Sequence, residues 1–128
     1  MILYVNACAR PDSRTDRLAR ALLQKLGPYE ELRLYDEPLR PMDAHRIALR
    51  DTLLSQKDYG AEMFRYARQF AAAEQIVLSA PLWDLSFPAQ LKIYLENIFV
   101  TGIVTRYSEA GLPVGLCRAK KLYYVSTS

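Results

Sequence analysis

The chain has 128 residues, 51% hydrophobic and 24% charged, a balance that suits one folded domain and excludes a disordered chain. A net charge of +3 is too small and too dispersed for a nucleic-acid binder, but it suits a small anionic ligand. No apolar stretch approaches the ~20 residues that cross a bilayer, so no membrane partner is expected.

The opening Met1–Val5 is apolar and short, with no basic residue before it. It reads as a first strand rather than a signal peptide, and a cytoplasmic location is expected. Cys8 and Cys117 stand far apart with no CxxC, and His45 is the only histidine. The cysteines read as small buried hydrophobes and His45 as a surface or loop residue. No metal site, disulfide or histidine relay is expected.

Ile2 to Asn6 is apolar on both faces, as a central parallel strand requires. A polar loop, Ala7 to Thr15, leads into a helix from about Arg14 to Leu26. Leu18, Leu22 and Leu26, with Ala21 beside them, form its expected sheet-facing stripe. Ser13 and Asp16 have capping-box spacing, and Gly27-Pro28 ends the helix. Glu30 to Tyr35 alternates charge with Leu32 and Leu34 and reads as an edge strand. After a proline-containing loop, Ala44 to Asp58 and Tyr59 to Glu74 are helix-compatible, with Gly60 as a break. Leu49, Leu53 and Leu54 form one stripe; Met63, Tyr66, Ala67, Phe70 and Ala71 form another.

Gln75 to Ala80 reads as a buried strand, and a helix follows from Pro88 to Val100 with Leu91, Leu95, Ile98 and Phe99 inward. Ile103 to Cys117 reads as an extended excursion turning at Gly111-Leu112-Pro113. Lys121 to Ser126 is the last strand. The alternation predicts an α/β, doubly wound parallel sheet of four strands with helices on both faces, in a single domain over residues 1–128.

Two loops carry chemistry. Arg10, Ser13, Arg14 and Thr15 surround the start of the first helix, where free N–H groups and the helix dipole favour an anion. The bland alternative is a capped helix with two solvated arginines; no Walker or glycine-rich signature decides between them. The second loop is Ser79 to Phe87. Leu82 and Trp83 can lie against a flat ring while Asp84 meets its polar edge. Alternatively, Trp83 and Phe87 are core or interface residues. Both loops follow strands that neighbour one another when the first strand lies beside the third, so a ligand with a phosphate and a flat ring would bridge them. Arg106-Tyr107 could cover the ring or meet a second subunit, or be a polar turn. Ser126-Thr127-Ser128 adds hydroxyls on the last strand's carboxyl end.

The stretch Ala80-Pro81-Leu82-Trp83-Asp84-Leu85-Ser86-Phe87-Pro88-Ala89-Gln90-Leu91-Lys92 resembles the "AP(M/L)(W/Y)N…PA.LK" segment of FMN-dependent NADH-azoreductases, which are flavodoxin-fold NAD(P)H:quinone oxidoreductases. Gly102 to Gly111 is similar to that family's "G.TF.Y…G" stretch, Lys120 to Ser128 to the strand leading into its glycine pair, and Asn6 to Leu18 to its phosphate loop. The resemblance implies a flavodoxin-like fold. It implies FMN with its phosphate near Arg10, Ser13, Arg14 and Thr15, and its ring against Pro81, Leu82, Trp83 and Asp84 with Thr127 at the edge. Phe87 and Tyr107 are implied at the substrate side or subunit interface of a homodimer. NADH or NADPH would be the electron donor, and a quinone or azo compound the acceptor. No protein side chain is expected to act as a nucleophile.

Two departures stand out. Asp84 replaces the family's Asn; an ionised carboxylate disfavours an anionic reduced ring, so the expected reduction potential is lower, and Asp84→Asn should raise it. The family's glycine pair, further helix and fifth strand do not follow Ser128, so an open edge on the last strand is expected. Two other readings remain at this level: a flavodoxin-like FMN-binding or electron-carrier module without NAD(P)H turnover, and an inactive, cofactor-free relative. The +3 charge speaks against a flavodoxin, whose surface is usually acidic.

Overall fold

A computed structural model describes residues 1–128. In chain order the elements are β1 (Ile2–Asn6), α1 (Arg14–Leu26), β2 (Tyr29–Arg33), α2 (Ala44–Ser55), α3 (Arg65–Ala72), β3 (Gln75–Ser79), α4 (Ala89–Ile98), β4 (Thr105–Tyr107), β5 (Pro113–Gly115) and β6 (Lys121–Val125). Short 3-10 turns occupy Leu34–Asp36 and Glu62–Phe64. The main sheet has four strands in the order β2-β1-β3-β6, all parallel. The expected doubly wound parallel sheet is therefore present, with β1 beside β3. The excursion after α4 is an antiparallel hairpin, β4 against β5.

The sheet's two faces carry unequal cores. Leu3, Val5, Ile76 and Leu78 face the larger one, under Tyr66, Ala67 and Phe70 of α3 and Leu91, Tyr94 and Ile98 of α4. Ile2, Tyr4 and Val77 face the smaller one, under Ala19 and Leu23 of α1. Burial on both faces explains the continuous apolar runs Ile2–Val5 in β1 and Ile76–Leu78 in β3. β6 lies at the sheet edge with Leu122 and Tyr124 exposed.

Several inward stripes differ from the expectation. α1 buries Thr15, Ala19 and Leu23, while Leu18 is exposed and Leu22 and Leu26 only flank the core. The small side chain of Ala19 permits close helix–sheet approach, and the buried hydroxyl of Thr15 is satisfied by Thr127. Hydrogen bonding at the helix start thus sets its rotation, against a stripe of leucines. Ser13 caps α1 by accepting from the Asp16 N–H at 3.2 Å. The Asp16 carboxylate does not complete a capping box; it accepts from Tyr4, Asn6 and Arg20 instead.

Phe99 is exposed because α4 stops at Ile98, and Leu49 is exposed because α2 buries no residue completely. His45 sits exposed on α2. Cys8 is buried as expected, whereas Cys117 is only half-buried against the larger core. No helix is long and apolar enough to cross a membrane.

Tyr66 gives the core an alkaline limit. Its hydroxyl donates to Glu37 Oε1 at 2.8 Å. Burial and then that acceptor push its pKa up to about 12 from an ordinary 10.0. Near pH 10 an unfolded tyrosine releases its proton while the folded one keeps it. The stabilising difference is therefore complete below 10 and lost as pH rises to about 12. Urea midpoints should fall across that window, and Tyr66→Phe should flatten the fall. Tyr4 and Tyr94, also raised by burial, keep part of the slope.

Candidate functional site

The register aligns Asn6 with Ser79 and Ser79 with Val125, so β1, β3 and β6 end on one rim. The segments that follow are stitched together there. The Ala7 N–H donates to Ser79 O at 2.8 Å, that of Ala80 to Val125 O at 3.0 Å, and that of Leu82 to Thr127 O at 2.9 Å. The hydroxyls of Thr15 and Thr127 share a 2.6 Å hydrogen bond, which joins the start of α1 to the chain beyond β6.

These segments enclose a cavity of about 460 Å³. Arg10, Ser13, Arg14, Thr15, Pro81, Leu82, Trp83 and Thr127 all line it, so the structure brings eight of the expected site residues together. Asp84, Phe87 and Tyr107 lie outside the lining. Asp84 occupies an exposed turn, Phe87 packs partly against the larger core, and Tyr107 is 65% exposed on the β4–β5 hairpin.

The cavity has a cationic and an apolar end. Arg10, Arg14 and Arg17 line it with Asp12, which gives 3 − 1 = +2 in formal charge. None of the three arginines forms an ion pair with a carboxylate. The N-terminal amides of α1 add the positive end of its dipole. Pro81, Leu82 and Trp83 form the apolar wall. Arg17 was not singled out from the sequence, although its place one helical turn beyond Arg14 was visible there.

Beneath the cavity lies a polar network that sequence reasoning missed. Tyr4 Oη donates to Asp16 Oδ1 at 2.6 Å and lies 2.7 Å from Ser79 Oγ. Asn6 Nδ2 donates to Asp16 and Glu31, and its Oδ1 accepts the Cys8 N–H at 2.9 Å. Arg20 bridges the two carboxylates, reaching Asp16 with Nε at 3.1 Å and both Glu31 oxygens at 2.9 Å. These contacts tie β1, α1, β2 and β3 together under the cationic end. Residues far apart in the chain supply them, so no local motif announces them.

The loop after β3 is a tight hairpin. Trp83 and Ser86 exchange backbone hydrogen bonds of 2.6 and 2.9 Å, and both residues between them are left-handed, Asp84 at φ 50° and Leu85 at φ 64°. Asp tolerates this conformation in two-residue loops; Leu does not. Leu85 is 93% exposed and so gains no packing in return. Leu85→Gly should stabilise the protein by about 0.5–1 kcal/mol, the relief of left-handed strain less the entropy of a glycine in the unfolded chain. A urea titration measures it.

The flavodoxin-like fold family matches residues 1–128. The chain belongs to that family. It is 38% identical to FMN-dependent NADH:quinone oxidoreductase 2 of Clostridium acetobutylicum, across 97% of this chain and 65% of the relative. It is 34% identical to FMN-dependent NADH:quinone oxidoreductase of Clostridium beijerinckii, across 98% of this chain and 67% of the relative. The crystal structure of azoreductase from Bacillus anthracis str. Sterne superposes with a TM-score of 0.83 at 27% identity, covering 98% of this chain and 67% of the other. This flavodoxin-like chain therefore spans about two thirds of the length of the relatives it matches.

Proposed function

We propose that the chain binds FMN and serves hydride transfer from NADH or NADPH to a quinone or azo acceptor. The supporting observation is that loops 7–15 and 80–88 line one cavity, with free arginines at one end and an apolar wall at the other. The residues present fit the group. A phosphate monoester carries about −1.5 to −2 at pH 7, which matches the +2 of Arg10, Arg14, Arg17 and Asp12. Relatives named for FMN-dependent NADH:quinone oxidoreduction agree.

In this reading Arg10, Arg14 and the first amides of α1 hold the phosphate. The buried hydroxyls of Ser13 and Thr15 shape its seat. Pro81, Leu82 and Trp83 exclude water from one side of the ring, and Thr127 sits at its edge on a backbone already bonded to Leu82. Bound FMN supplies the two-electron chemistry; the protein orients it and needs no nucleophile of its own. A homodimer and a cytoplasmic location complete the proposal. Exposed Leu85, Tyr107, Leu112 and Phe99, at 93%, 65%, 64% and 58%, offer apolar surface that a second copy would cover. Phe87 and Tyr107 belong to that interface or to the acceptor's side.

Mixing the pure protein with FMN and then NADH tests the reading. A yellow complex that bleaches supports it. Yellow without bleaching leaves an electron carrier, and no binding leaves a cofactor-free fold. Asp84→Asn should raise the reduction potential of the complex. Because Asp84 is solvent-exposed, the rise should stay below about 20 mV, the two-electron equivalent of ~1 kcal/mol for charges screened by water. An unchanged potential would reject a role for this carboxylate.

A further inference from the structure

We propose that Arg40 and Arg46 form a second anion site, for a doubly charged oxyanion of the phosphate or dicarboxylate class. It occupies a separate cavity of about 310 Å³ and shares no lining residue with the first. Arg40, Arg46, Glu62, Arg65, Tyr66 and Asn97 are among its lining residues, where the loop after β2 meets α2, α3 and α4.

The site is built around Asn97, which is only 5% exposed. Its Nδ2 donates to Arg40 O at 3.0 Å and Ile93 O at 2.8 Å, and its Oδ1 accepts from Arg46 Nη2 at 2.8 Å. Both ends of the amide are occupied, so its function here is to hold the Arg40 backbone and the Arg46 guanidinium. Yet Arg46 Nε is buried with no hydrogen-bond partner. A buried guanidinium nitrogen ordinarily finds an acceptor, and the protein supplies none to Arg46 Nε, which leaves that place to a water or an anion.

The neighbouring acids do not supply it. Glu37 and Glu62 pair with Arg65, each at 3.3 Å. Asp43 accepts the Arg46 backbone N–H at 2.9 Å, and Glu96 accepts that of Met42. Neither Arg40 nor Arg46 is in an ion pair. With Arg65 and Glu62 the lining carries 3 − 1 = +2 in formal charge, which a doubly charged anion would balance, while Asp43, held below its usual range by the Arg46 N–H and then by the charges of Arg40, His45 and Arg46, stands beside the pair. The fork of Arg46 favours a planar or tetrahedral oxyanion over chloride.

The test is NMR of the ¹⁵N-labelled full chain. The Arg46 Nε–H signal is identified by its loss in Arg46→Lys. Inorganic phosphate and succinate are titrated in turn against sodium chloride of equal ionic strength. The expected result is a saturable shift in the millimolar range with phosphate or succinate and none with chloride. Arg40→Gln should weaken it about fivefold, as for loss of one screened charge. The shift should persist in the Arg10→Gln/Arg14→Gln double variant, which separates it from the first cavity. As a second readout, phosphate should raise the melting temperature of that double variant, and adding Arg46→Gln should abolish the rise. A signal that ignores both anions, an equal response to chloride, or a melting rise that survives Arg46→Gln overturns the proposal.

Discussion

Replacing Arg10 and Arg14 together with glutamine should weaken FMN binding by on the order of 100-fold or more. Each guanidinium that reaches a phosphate contributes a charge-assisted hydrogen bond of ~1.5–3 kcal/mol, and neither arginine has a carboxylate to fall back on. Stability should barely change, because both side chains are exposed and Arg14 makes only a 3.5 Å contact to Ser128 O. Quenching of flavin fluorescence measures the affinity. Riboflavin, which lacks the phosphate, provides the internal control: its weaker binding should be the same in wild type and variant. A variant that loses riboflavin as well would place the arginines at the ring, and one that keeps FMN would move the phosphate elsewhere. The salt dependence of FMN binding should flatten in parallel, since screening acts on the charges removed.

Much of this site was legible because parallel sheets impose a simple rule. A buried strand followed by an irregular polar or aromatic loop and a helix places the loop on the carboxyl rim. Ile2–Asn6 and Gln75–Ser79 each satisfy it, so the rim location of residues 7–15 and 81–87 followed from apolar runs and helix starts alone. The helix faces were less legible. Leu18 and Phe99 fit a four-residue repeat but are exposed, since hydrophobic spacing gives a helix its period and not its phase. The phase of α1 comes from Thr15 and Thr127, residues 112 positions apart. Likewise the turn at Asp84-Leu85 breaks the usual link between residue type and conformation, since neither residue is glycine. Leu in a left-handed position with 93% exposure is costly for stability alone, which is consistent with a role for the loop tip in covering the ring or meeting another chain.

Asp16→Ala should lower stability by about 2–3 kcal/mol, although Asp16 belongs to an ordinary-looking first helical turn. Its carboxylate, 14% exposed, accepts from Tyr4 Oη, Asn6 Nδ2 and Arg20 Nε. Truncation leaves the Tyr4 hydroxyl with Ser79 alone and Arg20 with Glu31 and the Tyr29 hydroxyl, and it removes a negative charge from the positive end of α1. Asp16→Asn keeps an acceptor oxygen and should lose about half as much. FMN affinity should not fall with stability, because the lost charge opposed the phosphate; a small gain is expected where folding allows measurement. Combining Asp16→Ala with Tyr4→Phe separates network from pair. If the buried hydroxyl matters chiefly because Asp16 accepts from it, the double variant should be less destabilised than the two single changes added, with a coupling of about 1 kcal/mol. Simple additivity in urea titrations would instead make Ser79 the partner that counts, and the support beneath the arginine-bearing loop would then run through β3 rather than α1.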